Sequence, residues 1–134
     1  MSVELTYLLY AVILLLVHIL VQATLSDLSK GIGWALGPQD EAREQNVIAD
    51  RVQRALRNYL ETFAAFAALA LLLAVNDIST DLSASGAALY FWARVAYIPI
   101  FASGLPLVRS VAWFASIAGL VMMILAALGG PAAG

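Results

Sequence analysis

The chain of 134 residues is 63% hydrophobic and only 12% charged, with a mean hydropathy of +0.89. A soluble domain is about 45–50% apolar and about 25% charged, so this composition predicts a membrane protein. A net charge of −2 argues against a nucleic-acid partner, and the absence of cysteine excludes disulfides and a cysteine nucleophile. With a single histidine, no metal site is expected. The length suits one domain over residues 1–134.

Four apolar stretches are each close to the roughly 20 helical residues that cross a bilayer. They cover residues 5–25, 56–75, 84–102 and 111–128, and with their polar flanks they predict helices over about 5–25, 48–75, 84–102 and 108–128. The first stretch also resembles a signal peptide with a cleavage site near Val21-Gln22-Ala23, but the acidic Glu4 and no basic residue precede it. This favours a retained helix. Short links predict an all-α, up-down-up-down bundle of four transmembrane helices.

Basic residues gather on one side of this predicted bundle. Lys30 and Arg43 lie in the longer first link, further arginines follow in the start of the second helix, and Arg109 lies at the third link. The N-terminus, the second link and the C-terminus contain no basic residue. Because basic residues favour the cytoplasmic side, both termini are predicted outside the cytoplasm.

The start of the second predicted helix carries a polar face. At about 100° per residue, an arc of about 120° holds Arg51, Arg54, Arg57, Asn58 and Glu61. Charges inside a membrane are costly and usually mark function. Snorkelling to the headgroups suffices for Arg51, whereas Arg57, Asn58 and Glu61 together indicate a polar site within the membrane.

The third predicted helix carries Arg94 about ten residues, or roughly 15 Å, from its outer end. Tyr90, Tyr97 and Phe101 share the face of Arg94 and predict an aromatic pocket wall, although core packing alone produces the same pattern. Arg94 and Glu61 are predicted to form a buried ion pair, because each would otherwise be an uncompensated charge.

The remaining polar residues of the predicted helices allow two interpretations each. Arg109 is either an anchor at the membrane surface or part of the site. His18 and Gln22 form an i,i+4 pair, in which His18 either hydrogen-bonds another helix, as we expect, or binds a ligand. The guanidinium groups, amide and carboxylate together predict a small zwitterionic ligand with excess carboxylate. Their apolar neighbours predict a lipophilic second substrate from the bilayer.

Three motifs resemble the MAPEG family, the membrane-associated proteins of eicosanoid and glutathione metabolism. They are Arg54-Ala55-Leu56-Arg57-Asn58-Tyr59-Leu60-Glu61, Arg94-Val95-Ala96-Tyr97 and Arg109-Ser110-Val111. The resemblance covers nearly the whole chain, and Gly37-Pro38-Gln39-Asp40-Glu41 looks like the bacterial branch, which implies the bacterial inner membrane. Leu56, Phe101 and Trp113 depart from the pattern of prostaglandin-synthase-like members and weigh against eicosanoid chemistry.

The resemblance implies a homotrimer that binds glutathione between neighbouring subunits and transfers it to lipophilic electrophiles or reduces lipid peroxides. The glutathione contacts it implies are Arg54, Arg57, Asn58, Glu61, Arg94, Tyr97 and Gln22. Arg109 and Ser110 occupy positions implicated in activating the thiol. Because one family member is a lipid-binding scaffold, the alternative is a non-catalytic protein that binds lipid or partner proteins. A small multidrug transporter is disfavoured, since it would need a carboxylate in the first helix.

Overall fold

A computed structural model describes residues 1–40 and 42–130, and those residues form helices and connecting turns with no strand. The helices are α1 (Val3–Lys30), α2 (Ile32–Ala35), α3 (Val47–Val75), α4 (Asp81–Ser103) and α5 (Pro106–Gly129). The all-helical class predicted from the sequence is confirmed. Glu41 and residues 131–134, which complete the predicted domain, lie outside the described residues.

Helix ends follow local capping chemistry. The Ser2 side chain accepts a hydrogen bond from the Leu5 amide at 3.2 Å, and the Asn46 side chain accepts one from the Ala49 amide at 2.8 Å. The helix α1 extends past the predicted limit of residue 25 and stops at Gly31, whose φ of 103° favours glycine. The predicted first link therefore begins later than expected and contains the short helix α2.

Three helices are long and apolar enough to cross a membrane by length and composition: Val3–Lys30, Val47–Val75 and Pro106–Gly129. The helix α4 was predicted as a fourth span and has 23 residues. It is not in that group; it contains Arg94 and Pro99 and begins with the polar Asp81 and Ser83. The described part of the chain therefore has the composition of a membrane protein.

The helices α1 and α3 run antiparallel. The Tyr59 hydroxyl donates to the Ala11 carbonyl at 2.7 Å, and His18 Nε2 donates to the Val52 carbonyl at 3.1 Å. Residues later in α1 therefore contact residues earlier in α3. The interhelical hydrogen bond predicted for His18 is confirmed, with a backbone carbonyl as its acceptor.

The helices α3 and α4 are also antiparallel. Thr62 and Tyr90 share a hydrogen bond between their hydroxyls at 2.9 Å, and Arg51 lies nearer the end of α4, where its Nη1 donates to the Ala102 carbonyl at 3.4 Å. The start of α3 and the end of α4 consequently lie together. The start of α5 follows directly after the α4 end, so all three meet at one end of the molecule.

The helices α4 and α5 cross at two glycines. A Cβ on Gly119 would lie 2.6 Å from the Gly86 carbonyl oxygen and 2.7 Å from the Tyr90 amide nitrogen. A Cβ on Gly86 would likewise lie 2.7 Å from the Gly119 carbonyl oxygen. Because both obstacles are backbone atoms, only glycine lets the two helices approach this closely.

Candidate functional site

An open cavity of about 450 Å³ lies between α3, α4 and α5, at the end where α3 and α5 begin. Its lining combines cationic, polar and aromatic side chains: Arg54, Arg57, Asn58, Glu61, Tyr97, Phe101, Arg109, Ser110, Trp113 and Phe114. Seven of the nine residues proposed from the sequence are among them. The other two, Arg94 and Gln22, are not.

The periodicity of α3 explains its share of this lining. Arg54, Arg57, Asn58 and Glu61 recur at spacings of three and four residues, so they lie on one face of the helix. Arg57 and Glu61 are exposed, and Asn58 is half-buried. Four of the five residues of the face predicted from the sequence therefore border the cavity, and Arg51 does not.

Arg94 lies behind the cavity wall and is fully buried. Its Nη1 donates to Asn58 Oδ1 at 2.9 Å, while Nε and Nη2 have no hydrogen-bond partner in the described part of the chain. The guanidinium carbon lies 4.1 Å from the Tyr97 ring centroid and 5.5 Å from that of Tyr59. These cation–π contacts give the buried charge a second source of stabilisation.

The contact with Arg94 fixes the orientation of the Asn58 amide. A guanidinium group only donates hydrogen bonds, so the amide atom facing Arg94 is the oxygen. The Asn58 nitrogen makes no hydrogen bond within the described residues and remains available at the cavity. Asn58 therefore offers a donor to a ligand.

The ion pair predicted between Arg94 and Glu61 does not form in the described structure. Arg94 lies opposite Asn58, and its one hydrogen bond goes there rather than to the carboxylate one turn further along α3. The Glu61 side chain is exposed on the cavity side. This carboxylate is therefore free to meet a ligand.

Two guanidinium groups lie beside the Phe101 ring. The Arg54 guanidinium carbon lies 5.3 Å from the Phe101 centroid, and that of Arg109 lies 5.2 Å from it. Arg54 also pairs with Asp50 at 3.0 Å, one turn back on α3. Within the described part of the chain, Arg57 and Arg109 have no carboxylate within ion-pair distance. The cavity thus has an excess of positive charge.

Ser110 borders the cavity, but its hydroxyl donates to the Pro106 carbonyl at 3.1 Å. This is the common bond of a helical serine to the carbonyl four residues earlier. The oxygen can still accept a hydrogen bond. To donate one to a ligand, the hydroxyl must rotate away from Pro106.

Two aromatic residues of the cavity wall were not predicted as site residues from the sequence. Trp113 and Phe114 both line the cavity. Trp113 follows Arg109 by four residues and Phe114 follows Ser110 by four, and this spacing is the signal that identifies them. Gln22 lies half-buried on α1 and does not border this cavity.

Among the described residues, no group of three or more histidine, cysteine, aspartate or glutamate side chains lies together as a metal site would require. The sequence model of the MAPEG family matches residues 7–129 of the chain. The match includes all the residues that line the cavity. No curated protein matches the chain.

Proposed function

The chain belongs to the MAPEG family, and from that premise we propose a glutathione-dependent membrane transferase or peroxidase that acts on lipophilic electrophiles. The observation that carries the proposal is the cavity between α3, α4 and α5, in which arginines outnumber the single carboxylate. Glutathione has two carboxylates and one ammonium group, so its charges complement those of the lining. Family members use glutathione, which supports the same assignment here.

Binding is assigned to the polar face of α3. Arg54 and Arg57 would pair with ligand carboxylates, because guanidinium forks match carboxylate geometry. The Asn58 amide nitrogen would donate to a ligand carbonyl or carboxylate oxygen. Glu61 would accept hydrogen bonds from the ligand ammonium group, for which its lack of an internal partner leaves it available.

Activation is assigned to Arg109, with Ser110 in a smaller role. Bound glutathione would supply the thiolate nucleophile that this cysteine-free chain lacks. A guanidinium group within about 4–6 Å of a thiol favours its anion and lowers its pKa by about 1–3 units. Arg109 also lies in the first turn of α5, where the helix dipole favours negative charge.

The lipophilic electrophile would meet the aromatic end of the cavity. Trp113 is half-buried, and Phe114 is 64% exposed and faces outward beside it. These rings join the polar lining to an outer surface on which α5 also exposes Val111. An apolar substrate dissolved in the bilayer could therefore approach without crossing water.

The assembly proposed is a homotrimer of four-helix transmembrane bundles, with α4 as the fourth span. The basic residues at the starts of α3 and α5 support a cytoplasmic location for this end and an outside location for both termini. The membrane would be the bacterial inner membrane. Gln22 on α1 does not border the cavity between α3, α4 and α5, so its glutathione contact would be made in a neighbouring subunit.

The test is the ultraviolet absorbance of glutathione thiolate on the detergent-solubilised protein at neutral pH. We expect thiolate absorbance with the wild type, its loss in Arg109→Ala with the tripeptide still bound, and a smaller loss in Ser110→Ala. Lys30→Ala is the matched control, since it removes a charge at the same end outside the cavity. Undiminished thiolate absorbance and turnover in Arg109→Ala would contradict the role of Arg109.

A non-catalytic protein that binds lipid or partner proteins is the second candidate. The observation that favours it is the Ser110 hydroxyl, which is already engaged with the Pro106 carbonyl. If the wild type binds no glutathione in the same measurement, this candidate replaces the transferase.

A further inference from the structure

A second, smaller cavity of about 190 Å³ adjoins the first, at the turn between α4 and α5. Three arginines border it: Arg51 and Arg54 from α3, and Arg109 from α5. The rest of its lining is the turn itself with Phe101 beside it. Arg51 borders only this cavity, whereas Arg57 borders only the larger one.

Positive charge in the second cavity is poorly compensated. Arg54 has the Asp50 carboxylate at 3.0 Å, but neither Arg51 nor Arg109 has an ion-pair partner within the described residues. Arg51 Nη1 makes only a long hydrogen bond of 3.4 Å to the Ala102 carbonyl. Like charges that converge without counter-charge repel one another, so an anion bound among them is favoured.

Gly104, in the turn between α4 and α5, lies against the Arg51 guanidinium group. Gly104 has a φ of 79°, and a Cβ on it would lie 2.9 Å from the Arg51 guanidinium carbon. The following helix α5 starts with Pro106 and has no side chain that caps its first turn. The helix dipole at this start favours negative charge.

We propose that the second cavity is a phosphate-binding site. Guanidinium forks approach it from two helices, and a phosphate group offers more acceptor oxygens to such a set than a carboxylate does. The phosphate group could belong to the headgroup of an anionic phospholipid or to a small phosphorylated solute. Both candidate spans that contribute arginines, α3 and α5, begin at this end, so the cavity lies at headgroup depth.

The proposed phosphate site does not rest on glutathione binding. Arg54 and Arg109 serve both cavities, but Arg51 and Arg57 divide between them. Arg51→Gln should therefore weaken phosphate binding and leave glutathione binding unchanged. Arg57→Gln is the matched control, because it removes the same charge from the same helix and should weaken glutathione binding alone.

The experiment measures the thermal unfolding midpoint of the full chain in non-ionic detergent. One arm titrates sodium phosphate at constant ionic strength, and a second titrates short-chain phosphatidylglycerol against diacylglycerol with the same acyl chains. We expect phosphatidylglycerol to raise the midpoint of the wild type and of Arg57→Gln, and diacylglycerol to leave both unchanged. A parallel rise with sodium phosphate identifies a site for any phosphate group, and its absence identifies a site for the lipid headgroup.

In Arg51→Gln we expect half-maximal stabilisation to need about tenfold more ligand, which corresponds to one lost charge-assisted contact. Arg51→Lys keeps the charge and should recover part of the response, which covers the case in which the glutamine variant folds poorly. Equal responses in Arg51→Gln and the wild type overturn the proposal. So does a wild type that responds to neither phosphate probe.

Discussion

Glu4 and Arg94 are both buried, ionisable side chains, but they differ in how fully they are hydrogen-bonded. Glu4, at 1% exposure, accepts hydrogen bonds from the hydroxyls of Ser79 and Ser83, and Ser79 reaches both carboxyl oxygens at 3.0 and 3.2 Å. Arg94, at 0% exposure, makes one hydrogen bond to Asn58 and leaves Nε and Nη2 without partners in the described structure. The Glu4 carboxylate is therefore hydrogen-bonded at both oxygens, whereas the Arg94 guanidinium group is hydrogen-bonded at only one of its three nitrogens in the described structure.

This difference separates a structural contact from a positioning contact. Glu4 joins the start of α1 to the start of α4 at the end away from the cavity, so its hydrogen bonds stabilise the packing of those helices. Arg94 adjoins the cavity wall and orients the Asn58 amide. Incompletely satisfied buried polar groups are destabilising, and they concentrate where function requires them.

The largest stability effect is expected for Glu4→Leu, which removes the acceptor of both serine hydroxyls. Hydrogen bonds to a charged group contribute about 1.5–3 kcal/mol, and we expect a loss of that order in free energy of unfolding. Titration with sodium dodecyl sulfate in mixed micelles measures it. Asp77→Asn is the control, because it removes an exposed charge near the same end. Unchanged stability in Glu4→Leu would remove the contrast with Arg94.

Arg94→Met should act on ligand binding and leave stability within about 1 kcal/mol. The loss of one hydrogen bond and of the cation–π contacts is offset by the removal of two buried nitrogens that have no partner in the described structure. We expect about tenfold weaker glutathione binding, the equivalent of one hydrogen bond from a misplaced Asn58 amide. Calorimetric titration measures the affinity.

Asn58→Ala separates positioning from a direct contact. If Arg94 acts through Asn58, Arg94→Met should weaken binding no further in the Asn58→Ala background. Full additivity of the two losses would show instead that Arg94 reaches the ligand itself.

The smallest effect is expected between Glu61 and Arg94. Because Arg94 bonds Asn58 and no ion pair joins it to Glu61 in the described structure, Glu61→Gln and Arg94→Gln should change stability additively, within about 0.5 kcal/mol. A double-mutant cycle in mixed micelles measures the coupling. A coupling well above that value would restore the ion pair predicted from the sequence.

The polar face of α3 could be predicted from the sequence because it is a local property. Spacings of three and four residues place Arg54, Arg57, Asn58 and Glu61 together whatever surrounds the helix. The partner of Arg94 could not be predicted in the same way. Whether Asn58 or Glu61 meets it depends on the rotation and register of α3 against α4, and neither helix encodes that register alone.

Contacts between distant segments were hidden for the same reason. Glu4 served in sequence analysis only as evidence against a signal peptide, since its partners Ser79 and Ser83 lie at least 75 residues away. Arg51 was explained by snorkelling. Its neighbour Gly104 is brought to it only by the antiparallel packing of α3 on α4.

The close crossing of α4 and α5 at two glycines bears on which of the helices around the cavity can move. Gly86 and Gly119 bring the backbones of α4 and α5 close together, and the same two helices contribute Tyr97 and Arg109 to the cavity lining. We expect this close packing to resist separation of α4 and α5 by a bulky ligand. We therefore expect room for a bulky ligand to come from movement of α3 relative to α4 and α5.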